Sequence, residues 1–334
     1  MSQAASTRRT RRAPFAFVLF ALTCCVALPA SSTRAQQPSP SPTPTPAPPP
    51  DTDIFIVEMK TANGRPEFGR PTNVTNRPGY DNQPSFTPDG RAVLFTSQRE
   101  GNQTDVYRYD LSNAGTTRLT ATPESEYSPT VTPDGKFFSV VRVEADQAQR
   151  LWKFPLAGTG QPALVMTDVK PVGYHLWLDA RTLALFVLGA ENRPHTLQVA
   201  VLGKRPGEVV ELSTMATNIG RSFQRVPNQR DGFTFVHKLA PDNWLIKIVD
   251  LKSHRTAPLA KTLPGSEDYA RLPDGSLLMA RDAKLYRLDP AAGQDWQEIA
   301  DFTPACAAAC RITRLAVSPR ADRLAFVAQP ALSQ

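Results

Sequence analysis

Short runs in which apolar and polar residues alternate begin at residue 53, and one phrase among them keeps returning. It is sharpest at residues 105–111 (DVYRYDL). Degenerate copies stand at 53–59 (DIFIVEM), 150–156 (RLWKFPL), 195–201 (HTLQVAV), 245–251 (LIKIVDL) and 284–290 (KLYRLDP). Intervals of roughly 40 to 50 residues are the blade period of a β-propeller, so six copies predict six blades.

Each blade is expected to be a four-stranded antiparallel meander, and residues 84–120 show the punctuation most clearly. Phe86 ends an inner strand, and Pro88-Asp89-Gly90 supplies a turn in which proline presets φ and glycine accepts positive φ. Residues 91–97 then form an apolar strand, residues 105–111 an alternating one and residues 116–120 an outer one. The turn returns as Pro133-Asp134-Gly135 and Pro273-Asp274-Gly275, and in worn form at Leu178-Asp179-Ala180, Pro227-Asn228-Gln229 and Pro319-Arg320-Ala321.

The C-terminal copy supplies only two strands, residues 314–318 and 323–328, before the pattern stops. Residues 53–59 match the third strand of a blade, and residues 71–75 (PTNVT) suit its fourth. The fold class expected is therefore all-β: a six-bladed propeller whose N-terminal strands complete the C-terminal blade, closing the ring and leaving no long free edge.

The phrase T-P-D-G, an apolar strand, then D-V-Y-x-Y-D resembles the TolB-type, WD40-like propeller repeats of bacterial envelope proteins. The resemblance spans residues 53–329, sharply around Pro88 and Pro133, fairly around Pro273, and elsewhere through spacing. It implies a role as a binding module in the envelope. TolB proteins also carry an N-terminal α/β domain, for which residues 36–52 leave no room, so the resemblance is to the propeller portion. Propellers host many functions, and fold alone names none.

Ahead of the propeller, residues 1–35 read as an export signal, with basic Arg8, Arg9, Arg11 and Arg12, an apolar run over 13–28, and small residues before a cut after Ala35. The apolar run is shorter than the roughly 20 residues of a membrane span. An uncleaved anchor is the alternative, and the arginine pair also permits twin-arginine export. Without Arg8, Arg9, Arg11, Arg12 and Arg34 the formal charge of +7 falls to +2. The remaining charges are interspersed, which gives no support for a nucleic-acid partner. Residues 36–52 (QQPSPSPTPTPAPPPDT) cannot build a core and form either an extended spacer or a leftover leader. A lipid anchor is less well supported, because Leu22-Thr23-Cys24-Cys25 is a poor lipobox. The expected product is a periplasmic or extracellular protein, monomeric, with no transmembrane span after cleavage and with residues 53–330 as its single domain.

Export leaves Cys306 and Cys310, and an oxidising compartment invites a disulfide between them. Closing so short a loop removes little chain entropy, so the bond is expected to pin one connection. A metal site would need more ligands, and His175, His195, His237 and His254 show no ligand spacing near the pair.

Loops that lead into each inner strand open on the channel mouth, where propellers usually take ligands. Those positions carry Tyr80, Asp81, Glu126, Tyr127, Tyr174, His175, Arg221, Phe223, Asp268, Tyr269 and Arg311, a set suited to stack on a sugar or grip a peptide. Blade-packing aromatics and solvated charges are the ordinary alternative for many of them. Asp105, Asp110, Asp134, Asp250 and Asp289 recur at one register, as turn and strand-end residues do. No G-x-S-x-G elbow is present. The expected function is non-catalytic binding of an envelope protein, peptide or ligand, with no cofactor and no resident metal. The alternatives are a metal-dependent hydrolase or lyase acting on a small or sugar-like substrate in the channel, for which Asp81, Glu126 and Asp268 would have to converge, and a purely structural propeller.

Overall fold

The computed structural model describes residues 49–62, 64–227, 229, 232–293, 295–306 and 310–330. The export signal and all but the last residues of the Pro-rich segment lie outside them.

The second strand of each repeat nucleates its blade. Residues such as Ala92–Ser97 are buried on both faces because every blade is sandwiched between two others, which is why these strands read as continuous apolar runs. Five blades are consecutive meanders. The first holds β4 (Asp81–Phe86), β5 (Ala92–Ser97), β6 (Asp105–Asp110) and β7 (Thr116–Arg118), and the second β8 (Ser125–Val131), β9 (Phe137–Val143), β10 (Gln149–Pro155) and β11 (Ala163–Leu164). The third holds β12 (Val172–Trp177), β13 (Thr182–Val187), β14 (Thr196–Leu202) and β15 (Val209–Thr217), and the fourth β16 (Ile219–Arg225), β17 (Gly232–Ala240), β18 (Asn243–Asp250) and β19 (Arg255–Lys261). The fifth holds β20 (Tyr269–Arg271), β21 (Leu277–Arg281), β22 (Lys284–Leu288) and β23 (Gln297–Asp301).

The sixth blade closes the ring as the strand count requires. Its inner pair is β24 (Cys310–Val317) and β25 (Arg323–Pro330), and β1 (Asp53–Ala62) pairs antiparallel with β25, from Asp53 opposite Ala328 to Glu58 opposite Arg323. The outer strand is longer than residues 71–75 suggest. It comprises β2 (Arg65–Phe68) and β3 (Thr72–Asn73), both paired with β1 and slipped by one residue where Gly69 N–H donates to the Glu58 carbonyl. A latch fixes it: Asp53 accepts from Asn73 Nδ2 (2.9 Å) and from Thr75 Oγ1 (2.9 Å).

Apolar clusters fill all six blade interfaces. At the closure, Phe55 stacks on Phe326 (5.5 Å) and Phe326 on Phe302 (5.3 Å) beside Leu278 and Leu285 of the fifth blade. On the other face of the same blade, Ile54 and Val327 meet Phe95 and Tyr107 of the first. Cys306 and Cys310 lie in the first of these clusters, joined by a disulfide.

The turns show why their sequence repeats. In Thr87-Pro88-Asp89-Gly90, Asp89 accepts from Thr87 Oγ1 (2.6 Å) and the Arg91 N–H (3.0 Å), and Gly90 takes φ +67°. Thr132-Pro133-Asp134-Gly135 repeats these bonds. In the sixth blade Ala321 occupies the glycine position at φ +52°, and Ser318 Oγ donates to Asp322 (2.7 Å) instead. The strand-end aspartates are likewise local acceptors: Asp110 from Ser112, Asp250 from Lys252 and Ser253, Asp289 from Ala291.

Candidate functional site

Inner strands line the channel, and bulges decide which side chains enter it. The register of β4, β8, β12, β16 and β24 against the neighbouring strand slips near its middle, and Gln83, Ser128 and Arg314 adopt φ of +58°, +55° and +55° there. A bulge re-aims a side chain and interrupts the ladder, so it marks a place where the strand serves the channel. Five residues before the turn prolines Pro88, Pro133, Pro227, Pro273 and Pro319 stand Gln83, Ser128, Ser222, Asp268 and Arg314. In the third blade, whose turn is one residue shorter, Tyr174 takes that place. All six line one cavity of about 340 Å³, one residue from each blade.

Charge pairing ties half of this ring together. Arg221 binds Asp268 side-on through Nε (3.1 Å) and Nη2 (2.6 Å), and Ser222 Oγ donates to the same carboxylate (3.2 Å). Arg314 approaches Asp268 at 3.8 Å, donates to the Tyr174 hydroxyl (2.9 Å) and lies over that ring at 5.0 Å. Burial pushes the Asp268 carboxyl up, but Arg314 and Arg221 outweigh it and hold it at about 2. Glu267 is shared by Lys238 (2.8 Å) and Arg221 (3.4 Å). Tyr80 feels Arg314, Tyr174, Tyr127 and Arg221 electrostatically, and burial raises its pKa, so it stays a neutral donor. Among the described residues neither the Tyr80 nor the Tyr127 hydroxyl has a hydrogen-bond partner. Neither tyrosine lines the ring cavity, and Tyr127 packs against the core between the second and third blades; the cavity itself presents the Tyr174 face and Arg314 beside a saturated carboxylate.

Several of the expected mouth residues serve the blades instead. Asp81 and Glu126 are fully buried in equivalent clasps between blades: Thr52 Oγ1 donates to the Asp81 carbonyl (2.9 Å), and Thr104 Oγ1 to that of Glu126 (3.1 Å). The Asp81 carboxylate meets Arg77 (3.1 Å), and that of Glu126 accepts from Thr122 Oγ1. They do not converge on the channel with Asp268, as a metal-dependent reaction would require. Tyr269 is a core residue whose hydroxyl donates to Thr234 (2.8 Å), whereas Phe223 both lines the ring cavity and packs edge-on against Phe233. Arg311 is exposed, opposite Gln329 on β25, away from the ring. Among the described residues no group of three or more His, Cys, Asp or Glu is placed to hold a metal ion.

His175 lines the cavity but looks inward. Its Nε2 lies 2.7 Å from Ser139 Oγ, which also accepts from Trp177 Nε1 (2.8 Å) and stands 3.2 Å from the Thr130 carbonyl. Nδ1 is buried without a partner. Burial pulls the imidazole down to about 3, so it is neutral. Ser139 is itself fully buried, and this pair is a structural bridge between the second and third blades.

Against known proteins, residues 50–170 match the family described as the TolB beta propeller domain. The fold is that of a TolB-like propeller. A 38-residue stretch is 47% identical to the Tol-Pal system protein TolB of Bordetella pertussis and covers 11% of this chain and 8% of that protein, so the whole-protein properties of that relative do not transfer with the match. An Agrobacterium tumefaciens structure assigned as TolB superposes with a TM-score of 0.63 at 13% identity, over 85% of this chain and 100% of that one. TolB from Acinetobacter baumannii gives 0.51 at 14% identity, over 84% and 64%. A Mycobacterium tuberculosis puromycin-hydrolyzing peptidase gives 0.53 at 16%, over 79% and 47%. At such identities the likeness is one of fold. The ring itself was within reach of the sequence: Gln83, Ser128 and Arg314 sit on bulges whose register the turn prolines mark, and counting back from those prolines would have found them.

Proposed function

We propose that this TolB-like propeller is an exported, non-catalytic binding module of a bacterial envelope, and that a protein or peptide partner docks at the channel mouth. One observation carries the reading. Tyr174 and Arg314 present an aromatic face and a guanidinium at an open cavity shared by all six blades, while the neighbouring Asp268 carboxylate is saturated by Arg221 and Ser222. A surface of that kind gains free energy from a ligand that brings acceptors and flat apolar groups. The residues needed for the alternative, carboxylates free to hold a catalytic metal, are held instead in the blade clasps at Asp81 and Glu126. The family match and the fold likeness to TolB structures support an envelope setting with protein partners.

The test is a photo-crosslinking amino acid placed at Ser222, which lines the cavity, and, separately, at exposed Val210 on β15, in cells of the source bacterium. A discrete crosslinked species obtained from position 222 and absent from position 210 is expected. Identical patterns from both positions would refute docking at the mouth. Stoichiometric metal in the purified protein, with a thermal midpoint lowered by chelator, would favour the hydrolase or lyase reading.

A further inference from the structure

Toward the turn end of the inner strands a second cavity, of about 670 Å³, adjoins the ring cavity, sharing Leu176, Gln224, Val317 and Pro319 with it but carrying a different charge pattern. Its walls are aliphatic and proline surface, including Leu176, Leu272, Val317 and Pro319, and its charged members are Arg225 and Arg271. Among the described residues lining it there is no carboxylate. Arg225 donates to the Trp177 carbonyl (3.2 Å) and also acts on Asp179. Arg271 has nothing comparable: its Nε and Nη1 are buried and have no hydrogen-bond partner. Burial lowers its pKa and only Tyr269 opposes this, as expected of a cation without a counter-charge.

Buried guanidinium nitrogens left without acceptors, as Nε and Nη1 of the half-buried Arg271 are, are costly, and native proteins normally satisfy such groups with protein, water or an ion. The contrast with the ring cavity is informative. There, Arg221 and Arg314 share Asp268, with Glu267 behind them. Here the described lining residues include two arginines and no acid, so the partner that fits Arg271 is anionic. A guanidinium matches the oxygen pairs of carboxylates and phosphates.

We propose that the cavity around Arg271 and Arg225 is an oxyanion site, taking a carboxylate or phosphate group whose remainder lies on the aliphatic and proline wall. It shares wall residues with the ring cavity of Arg314 but no charged residue. The test uses the full chain and its thermal midpoint in sodium chloride, sodium succinate and sodium phosphate at matched ionic strength. Each salt is also applied to Arg271→Met and, as a control for site, to Arg314→Met. A specific ligand stabilises by mass action, so the midpoint should rise with succinate or phosphate concentration beyond chloride in wild type and Arg314→Met. In Arg271→Met that excess should vanish. Without added oxyanion, Arg271→Met should be at least as stable as wild type, because it removes an unpaired charge. A response to succinate alone identifies a carboxylate site, and a response to phosphate alone a phosphate site. An equal excess in wild type and Arg271→Met, or no excess over chloride in wild type, overturns the proposal. Should Arg271→Met fail to fold, Arg271→Lys keeps the charge but loses the planar fork, and its excess should fall at least several-fold in apparent affinity.

Discussion

Glu126 offers the sharpest check on the blade clasps. Its side chain is fully buried and Oε2 has no hydrogen-bond partner. Burial, opposed by Thr122 and Thr120 and reinforced by Asp105, pushes the carboxyl from an ordinary 4.5 to about 7. The folded state therefore binds more protons than the unfolded state across that window. Stability from this group is complete below the unfolded value and is lost as pH rises through the folded one. At about 1.4 kcal/mol per pKa unit, the loss between pH 5 and pH 8 is about 2.5 kcal/mol. Glu126→Gln imitates the protonated acid and removes the dependence. Urea unfolding of both proteins at half-unit pH steps should give a wild-type minus variant stability that falls by that amount over the range. The difference is the quantity to read, because other groups titrate in the same window. A difference that stays level from pH 5 to pH 8 would refute the assignment of Glu126 as a buried, protonated clasp residue.

Three further outcomes follow from the same geometry. His175 works in the opposite direction: with a folded pKa of about 3 against an ordinary 6.5, its stability contribution is present above 6.5 and drains as pH falls. His175→Gln, unfolded in urea at pH 7 and pH 5, should therefore lose about 2 kcal/mol less than wild type on acidification. Removing residues 53–75 deletes β1 to β3 and their pairing with β25, so calorimetry should show no cooperative transition; a sharp one would exclude ring closure as the stabilising device. Ala321→Gly, at φ +52° where the sharp repeats use glycine, should raise the thermal midpoint by an amount equivalent to roughly 0.5–1 kcal/mol.

Architecture was legible because each cue has a local cause. The Thr-Pro-Asp-Gly turn recurs because Asp89 and Asp134 satisfy nearby donors while glycine takes positive φ. The missing strands of the sixth blade announced the closure. Arg65–Phe68 escaped notice because this strand holds Pro66 and no apolar alternation, and it forms by folding back on β1 across a turn at Gly64. Residue-level placement at the mouth was harder. A one-residue slip turns a strand's side chains to the opposite face, and the inner strands slip at their bulges. Asp81 and Glu126 precede the slip and point into the clasps, whereas Gln83 and Ser128, two residues later, face the channel.

That geometry separates what the repeat constrains from what it leaves free. The clasp positions need a residue whose backbone meets a threonine of the preceding blade, and the turn positions need an acceptor and a left-handed residue. The ring position has neither demand, but its side chains are engaged with one another and with the blades: Gln83 Oε1 accepts from Thr96 Oγ1 (3.0 Å) and the Ser128 N–H (2.8 Å), Ser222 Oγ donates to Asp268 (3.2 Å), and Arg314 donates to Tyr174 (2.9 Å). Its six occupants are Gln, Ser, Tyr, Ser, Asp and Arg, at intervals of 45 to 48 residues. One position present in every blade but filled differently in each lets a binding surface change while the fold stays. Ser222→Ala, which gives up a single bond to Asp268, should accordingly alter the cavity with less effect on stability than substitutions at Thr52 or Thr104, whereas Gln83→Ala also loses the bonds that join the first and second blades. Arg314 and Asp268, coupled to each other and to Tyr174, are expected to shift both.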